Sequence, residues 1–180
     1  MHPQKVLRAF DKHVTTWKKI INAYDIAALR MKPDAQSWSL GQACMHVIVL
    51  HDKFYMHNIR ICFEGKEGAS TSGKGKNAMG KIIFFFKSIP PVKVKMPERE
   101  YIEPPQPESC EQLRSELDGL STSMASVAQQ LPEADLSVRS EHPLLGMLHA
   151  GEWFEGAEFH IRHHLLQARR IMKYLDFVTA

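Results

Sequence analysis

The sequence has little cysteine, little net charge and no long apolar run. Its three cysteines, Cys44, Cys62 and Cys110, are odd in number and unrelated in spacing, which favours reduced thiols over a disulfide framework or a cysteine-based zinc site. A net charge of +3, without a lysine and arginine stripe interleaved with aromatics, argues against nucleic acid as a partner. The longest apolar run, IIFFF at 82–86, is far shorter than the ~20 residues that cross a bilayer.

The N-terminal stretch, MHPQKVLRAF, also lacks the apolar core of a secretion signal. We therefore expect a cytoplasmic protein that acts without a membrane. With 180 residues, 44% of them hydrophobic and 24% charged, the chain can bury one substantial core. The sequence thus predicts a single domain over residues 1–180.

Four segments carry apolar residues spaced alternately three and four apart, which is the pattern of an amphipathic helix. They span residues 7–28, 39–65, 109–131 and 150–175. The second and third begin at Ser-x-x-Gln sequences, which are capping-box signatures. No alternating β pattern competes, so the sequence predicts an all-α fold, a four-helix bundle with a long crossover between helices two and three.

The crossover, residues 64–108, is rich in Gly, Ser and Lys at its start and in Pro at its end. A connection of this length is more often a lid, an interface or a disordered segment than a simple linker. Residues 66–77 should be the most mobile internal segment. The stretch at 78–87 predicts a short helix or strand, and the phenylalanine run at 84–86 is too apolar to lie exposed, which favours burial against the bundle over a dimer interface.

A histidine cluster in the fourth helix is the first candidate for chemistry. It lies in EFHIRHHLLQ, residues 158–167. Each residue of an α-helix advances about 100° around the axis, so His160 and His164 lie ~40° apart on one face, while His163 lies ~60° to the other side. Two imidazoles are half of a zinc-type site, which takes three or four ligands. The remaining ligands must come from another part of the fold.

The second helix offers a candidate third ligand in His46, which leans toward the apolar stripe. His57 also lies on this stripe, but about 16 Å further along the axis, too far to share an ion with His46, and His51 lies on the far flank. Three neutral imidazoles would hold Zn²⁺, Ni²⁺, Fe²⁺ or Mn²⁺ with one or more positions open, as catalytic sites do. The alternative is that these are histidines at the core edge, satisfied by hydrogen bonds.

The sequence offers further candidate groups whose roles it does not decide. A carboxylate such as Asp11, Asp52 or Glu152 could complete the site or act as a base. The sequence GKNAMGKI at 75–82 resembles a P-loop, but it has Ile82 where the Mg²⁺-binding Ser or Thr is required and no strand precedes it, so we do not expect nucleotide binding. The remaining histidines are expected to be surface or loop groups: His2, His13, His51, His142, His149 and His163.

Two motifs are similar to those of the DinB-like superfamily. WSLGQACMHVI at 38–48 resembles the helix-two motif of that superfamily, and HPLLGMLHAGEWFEGAEFHIRHHLLQ at 142–167 resembles its helix-four motif. The resemblance implies an up-and-down-type four-helix bundle, often a homodimer. It also implies a three-histidine metal site, which falls on His46, His160 and His164 of this chain.

Characterised relatives are metal-dependent transferases or isomerases that use low-molecular-weight thiols. The resemblance therefore implies a thiol-dependent transferase with a small-molecule substrate. The alternatives are a hydrolase that uses a metal-activated water, and a non-catalytic bundle that binds metal or a ligand in a stress response. The chain departs from the family pattern at His149, a poorer helix cap than the usual Ser or Thr, and in its long basic crossover, which leaves the substrate class open.

Overall fold

The computed structural model describes residues 2–90 and 103–179. The described chain is mostly helical, as the sequence predicts, and none of its helices is long and apolar enough to cross a membrane. Its elements in order are α1 (Pro3–Asn22), α2 (Ile26–Arg30), α3 (Leu40–Leu50), a π-helical segment (His51–Met56), α4 (His57–Glu64), β1 (Ala69–Ser70), α5 (Ala78–Phe86), α6 (Cys110–Gln130), a 3₁₀ turn (Leu131–Glu133), β2 (Arg139–His142), β3 (Gly146–His149) and α7 (Ala150–Thr179).

The hydrophobic core lies between α1, α6, α7 and the continuous helical segment from α3 to α4. Helix α1 packs against α6 and α7, while α3 and α4 both pack against α7. Trp17, Leu117, Met124, Trp153 and Phe154 are fully buried members of this core. Each such side chain stabilises the fold by roughly 1.5–3 kcal/mol on leaving water. Helix α7 is thus held against α3, the arrangement on which the candidate site depends.

A three-stranded antiparallel sheet in the order β1–β2–β3 departs from the all-α prediction. Ser140 of β2 lies opposite Leu148 of β3, and β3 begins at Gly146, whose φ is 82°. A Cβ at Gly146 would lie 2.7 Å from the backbone nitrogen of Asn77, so the positive φ and the close approach both require glycine. Strands of two to four residues are too short for an alternating pattern to be recognised in the sequence.

The π-helical segment changes which residues of the second long helix face the core. The predicted capping box is present, since Gln42 N donates to Ser39 Oγ over 3.0 Å and Ser39 N donates to Gln42 Oε1 over 3.1 Å. A π-turn contains an extra residue, so side chains after it are rotated around the axis relative to a regular α-helix. His57 is therefore exposed, contrary to its predicted place on the apolar stripe, and Tyr55 is buried instead.

The described part of the crossover contains helix α5, so the stretch at 78–87 forms a helix rather than a strand. Phe84 packs against Phe159 with ring centroids 5.5 Å apart. Phe85 and Phe86 are 80% and 70% exposed. The predicted burial of the phenylalanine run is therefore right for Phe84 and wrong for the next two, because α5 turns their face away from the core.

We expect residues 66–77 to exchange backbone amide hydrogens faster than any other described internal segment. Regular pairing within it is confined to the two-residue strand β1 and the bridge between Lys76 and Gly146, so few backbone hydrogen bonds protect it. Hydrogen exchange followed by mass spectrometry checks this, and protection equal to that of α5 would contradict it. Residues 91–102, in the proline-rich part of the crossover, lie outside the described residues.

Candidate metal centre

Three histidines from two helices meet in the core. His46 on α3 and the pair His160 and His164 on α7 each have a ring nitrogen within 4.8 Å of the others. The Nε2 atoms of His160 and His164 are 3.1 Å apart, and the ring centroid of His46 lies 5.2 and 4.6 Å from theirs. The three residues singled out in the sequence therefore form one cluster, which could hold a metal ion.

The local sequence explains why these residues meet. His160 and His164 lie about one turn apart on α7, so both side chains leave the same face of that helix. Helix α3 begins at its Ser39 cap and packs against α7. His46, about two turns into α3, is thereby placed against the pair.

Burial keeps all three imidazoles neutral near pH 7. His160 and His164 are each 8% exposed, and His46 is half-buried. Loss of hydration lowers the pKa of His46 to about 4, that of His164 to about 3, and that of His160 well below its usual range. Neighbouring histidines deepen each shift, and no carboxylate of the described chain contributes to any of them. A neutral imidazole carries the lone pair that a metal ion requires.

Aromatic side chains form the walls around the cluster. The Trp38 ring lies 4.8 Å from the ring of His46 and 6.4 Å from that of His164. On another side, the buried Tyr55 ring lies 5.3 Å from the ring of His160. These rings limit access of water to the imidazoles.

Sequence reasoning did not assign Gln167 and Tyr55 to the site. Gln167 Oε1 lies 2.7 Å from His164 Nδ1, and the three-residue spacing on a helix is a signal that could have indicated this contact. Tyr55 could not be placed from the sequence, because the π-helical segment changes its direction. His163 contacts the His164 ring at 5.2 Å but lies outside the cluster, as helical spacing predicts.

No carboxylate of the described chain joins the cluster. Glu152 lies at the start of α7, where it forms an ion pair with Lys76 and accepts a hydrogen bond from His149 N over 3.1 Å. Asp52 is exposed. Asp11 belongs to α1 and is not part of the cluster. The three carboxylates that the sequence left open therefore do not complete this set of donors.

Three histidines expected at the surface or in loops have structural roles. His142, in β2, stacks on the buried Trp153 with ring centroids 5.2 Å apart. His51 is 3% exposed, and its Nε2 lies 2.8 Å from Ser123 Oγ. His149 caps α7 reciprocally with Glu152: Glu152 N donates to His149 Nδ1 over 3.3 Å, and His149 N donates to Glu152 Oε2. His149 therefore does cap α7, with an imidazole nitrogen in place of the usual hydroxyl; that it is a poorer cap than Ser or Thr stays a prediction.

A family model described as the DinB superfamily matches residues 7–168. The chain belongs to the DinB superfamily. No curated protein matches it significantly. The matched region contains all three histidines of the cluster. In this DinB-superfamily chain, three neutral imidazoles converge, and such a set of donors fits a divalent ion.

Proposed function

We propose that the chain is a metal-dependent enzyme, a transferase that acts with a low-molecular-weight thiol on a small-molecule substrate. His46, His160 and His164 would hold one divalent ion, Zn²⁺, Ni²⁺, Fe²⁺ or Mn²⁺. The observation that supports this is the convergence of three neutral imidazoles with no carboxylate among them. Three protein ligands leave at least one position of an ion open, as in catalytic sites. We propose further that the four long helical segments form a four-helix bundle within one domain, residues 1–180.

The charge balance of the cluster favours an anionic sulfur as the further ligand. Three neutral histidines leave the double positive charge of an ion uncompensated. When bound, the ion supplies positive charge that favours the thiolate, which is the reactive form of a thiol. His46 is half-buried whereas His160 and His164 are buried, so a ligand would approach from the His46 side, along the wall formed by Trp38.

The reacting sulfur has to come from outside the chain. Cys44 and Cys62 are 1% and 3% exposed, and burial raises the pKa of both thiols, which disfavours the thiolate. Cys110 lies at the start of α6, with its Sγ 3.9 Å from the carbonyl oxygen of Tyr24. None of the three cysteines belongs to the histidine cluster. A small thiol that diffuses to the site fits this arrangement.

We expect metal-loaded protein to accelerate the transfer of small thiols, such as cysteine or glutathione, to an aryl halide. The new carbon–sulfur bond forms as the carbon–halogen bond breaks, with release of the halide and the thiol proton, and the absorbance of the thioether product measures the rate. His160→Ala should abolish the acceleration without unfolding the helices, because it removes one donor from the cluster. The matched control is His57→Ala, since His57 is exposed and lies outside the cluster.

Two other outcomes would replace this proposal. Cleavage of esters or amides by the metal-loaded protein, without thiol transfer, would identify a hydrolase that uses water. Tight metal binding without either activity would identify a non-catalytic metal-binding protein. A wild-type protein that binds no divalent ion would contradict both enzyme functions and would leave only a non-catalytic bundle that binds a ligand without metal.

A further inference from the structure

Two contacts of His164 bear on which of its ring nitrogens carries the proton. His164 Nδ1 lies 2.7 Å from Gln167 Oε1, and His164 Nε2 lies 3.1 Å from His160 Nε2. His160 and His164 are buried and Gln167 is half-buried. A neutral imidazole has one N–H donor and one acceptor nitrogen. A contact that requires a proton on one nitrogen therefore leaves the other nitrogen as the acceptor.

We propose that Gln167 is a positioning residue that holds His164 as the Nδ1–H tautomer. An amide oxygen can only accept a hydrogen bond, so the contact with Gln167 Oε1 requires a proton on His164 Nδ1. The lone pair of His164 is then on Nε2, the atom that faces His160 and the centre of the cluster. Gln167 thus prepares one ligand atom before any ion is present.

The contact between the two Nε2 atoms completes the assignment. Two lone pairs repel at 3.1 Å unless a proton or a cation lies between them. Since His164 Nε2 carries no proton in this arrangement, His160 Nε2–H donates the hydrogen bond in the metal-free protein. To bind an ion through Nε2, His160 has to change to the tautomer that carries its proton on Nδ1, whereas His164 already has a free lone pair on Nε2.

The assignment would be overturned if His164 carried its proton on Nε2 instead of Nδ1. If the Gln167 amide group donated to His164 Nδ1 instead, His164 would carry its proton on Nε2 and donate to His160. The two arrangements differ in which amide atom of Gln167, the oxygen or the nitrogen, faces His164 Nδ1, and in the protonated nitrogen of each ring. Nuclear magnetic resonance of the histidine ring nitrogens distinguishes them directly.

The first experiment uses metal-free, ¹⁵N-labelled protein and needs no activity. Long-range ¹H–¹⁵N correlation spectra should show His164 protonated on Nδ1 and unprotonated on Nε2. Gln167→Glu keeps an oxygen acceptor and should keep this tautomer. Gln167→Met removes the acceptor at similar size and should shift His164 toward Nε2–H. A wild-type His164 protonated on Nε2, or a pattern unchanged in Gln167→Met, would overturn the proposal.

The second experiment rests on the proposed metal function and measures Zn²⁺ affinity by chelator competition. Removing a hydrogen-bond partner of a ligand histidine typically costs roughly 10- to 100-fold in metal affinity. We expect a loss of this size in Gln167→Met and an affinity equal to or tighter than wild type in Gln167→Glu. Gln130→Met, on an exposed Gln at the end of α6, is the matched control and should not change the affinity.

The outcomes separate the two proposals. Equal losses in Gln167→Glu and Gln167→Met would overturn the positioning role, because only one of them lacks the acceptor. Absence of Zn²⁺ binding in the wild type would contradict the metal function, while the tautomer of His164 in the metal-free protein would still decide the role of Gln167.

Discussion

Alanine in place of His46, His160 or His164 is expected to weaken zinc binding about a hundredfold or more. Structural zinc sites with four ligands have apparent binding free energies of about 10–16 kcal/mol, so one ligand accounts for roughly 3 kcal/mol, or about a hundredfold in affinity. The three donors converge within 4.8 Å, and alanine supplies no donor in place of an imidazole. Competition with a chromophoric chelator, on purified metal-free protein, measures the affinity.

Two neighbouring histidines are controls for this series. His163→Ala should retain the ion, because the His163 ring contacts His164 but lies outside the cluster. His51→Ala should also retain it, although the loss of a buried side chain will lower stability. If His163→Ala lost as much zinc affinity as His160→Ala, the wrong face of α7 would have been assigned to the ion.

Acid is expected to destabilise the metal-free protein between pH ~6.5 and pH ~4, with His51 as one principal cause. Burial lowers the pKa of His51 from 6.5 to about 4. In this interval the unfolded chain binds a proton at His51 and the folded chain does not, so the free energy of unfolding falls as pH falls. The difference in pKa corresponds to about 3 kcal/mol, present in full above pH ~6.5 and lost by pH ~4.

Urea unfolding at several pH values tests this contribution. His51→Gln should be less stable than wild type near neutral pH, but its stability should fall less steeply toward pH 4, because the titrating group is gone. His57→Gln, at an exposed histidine, should leave the slope unchanged. Burial also lowers the pKa values of His142 and His149 and of the three cluster histidines, and these groups add acid sensitivity of the same sign in both variants and the wild type. Identical slopes in wild type and His51→Gln would contradict the assignment.

The starts of helices were predictable where local chemistry determines them. Ser39 and Ser109 both accept a hydrogen bond from the residue three positions later, as their capping-box signatures indicate. The first predicted helix, 7–28, is two helices in the structure, because Asp25 caps a new helix by accepting from Ala28 N. The apolar stripe continues across that break, so its period alone does not reveal it.

The candidate site was predictable to the extent that it depends on helix period. The four-residue spacing of His160 and His164 and the inward direction of His46 brought the right residues together. The predicted direction of His57 was wrong, because the π-helical segment that precedes it, His51–Met56, leaves no recognisable sequence pattern. His51, the first residue of that segment, was predicted on the far flank but is buried beside Ser123 of α6. The isolation of Glu152 from the cluster depends on its contacts with Lys76 and His149, which arise only when the sheet and α7 are in place.

X-ray absorption spectroscopy of the zinc-loaded protein identifies the atoms that surround the ion. We expect one zinc ion per chain, with the multiple-scattering signature of three imidazole ligands and no sulfur from the protein. A sulfur neighbour in the absence of added thiol, fewer than three imidazoles, or no stoichiometric zinc would contradict a metal centre formed by His46, His160 and His164.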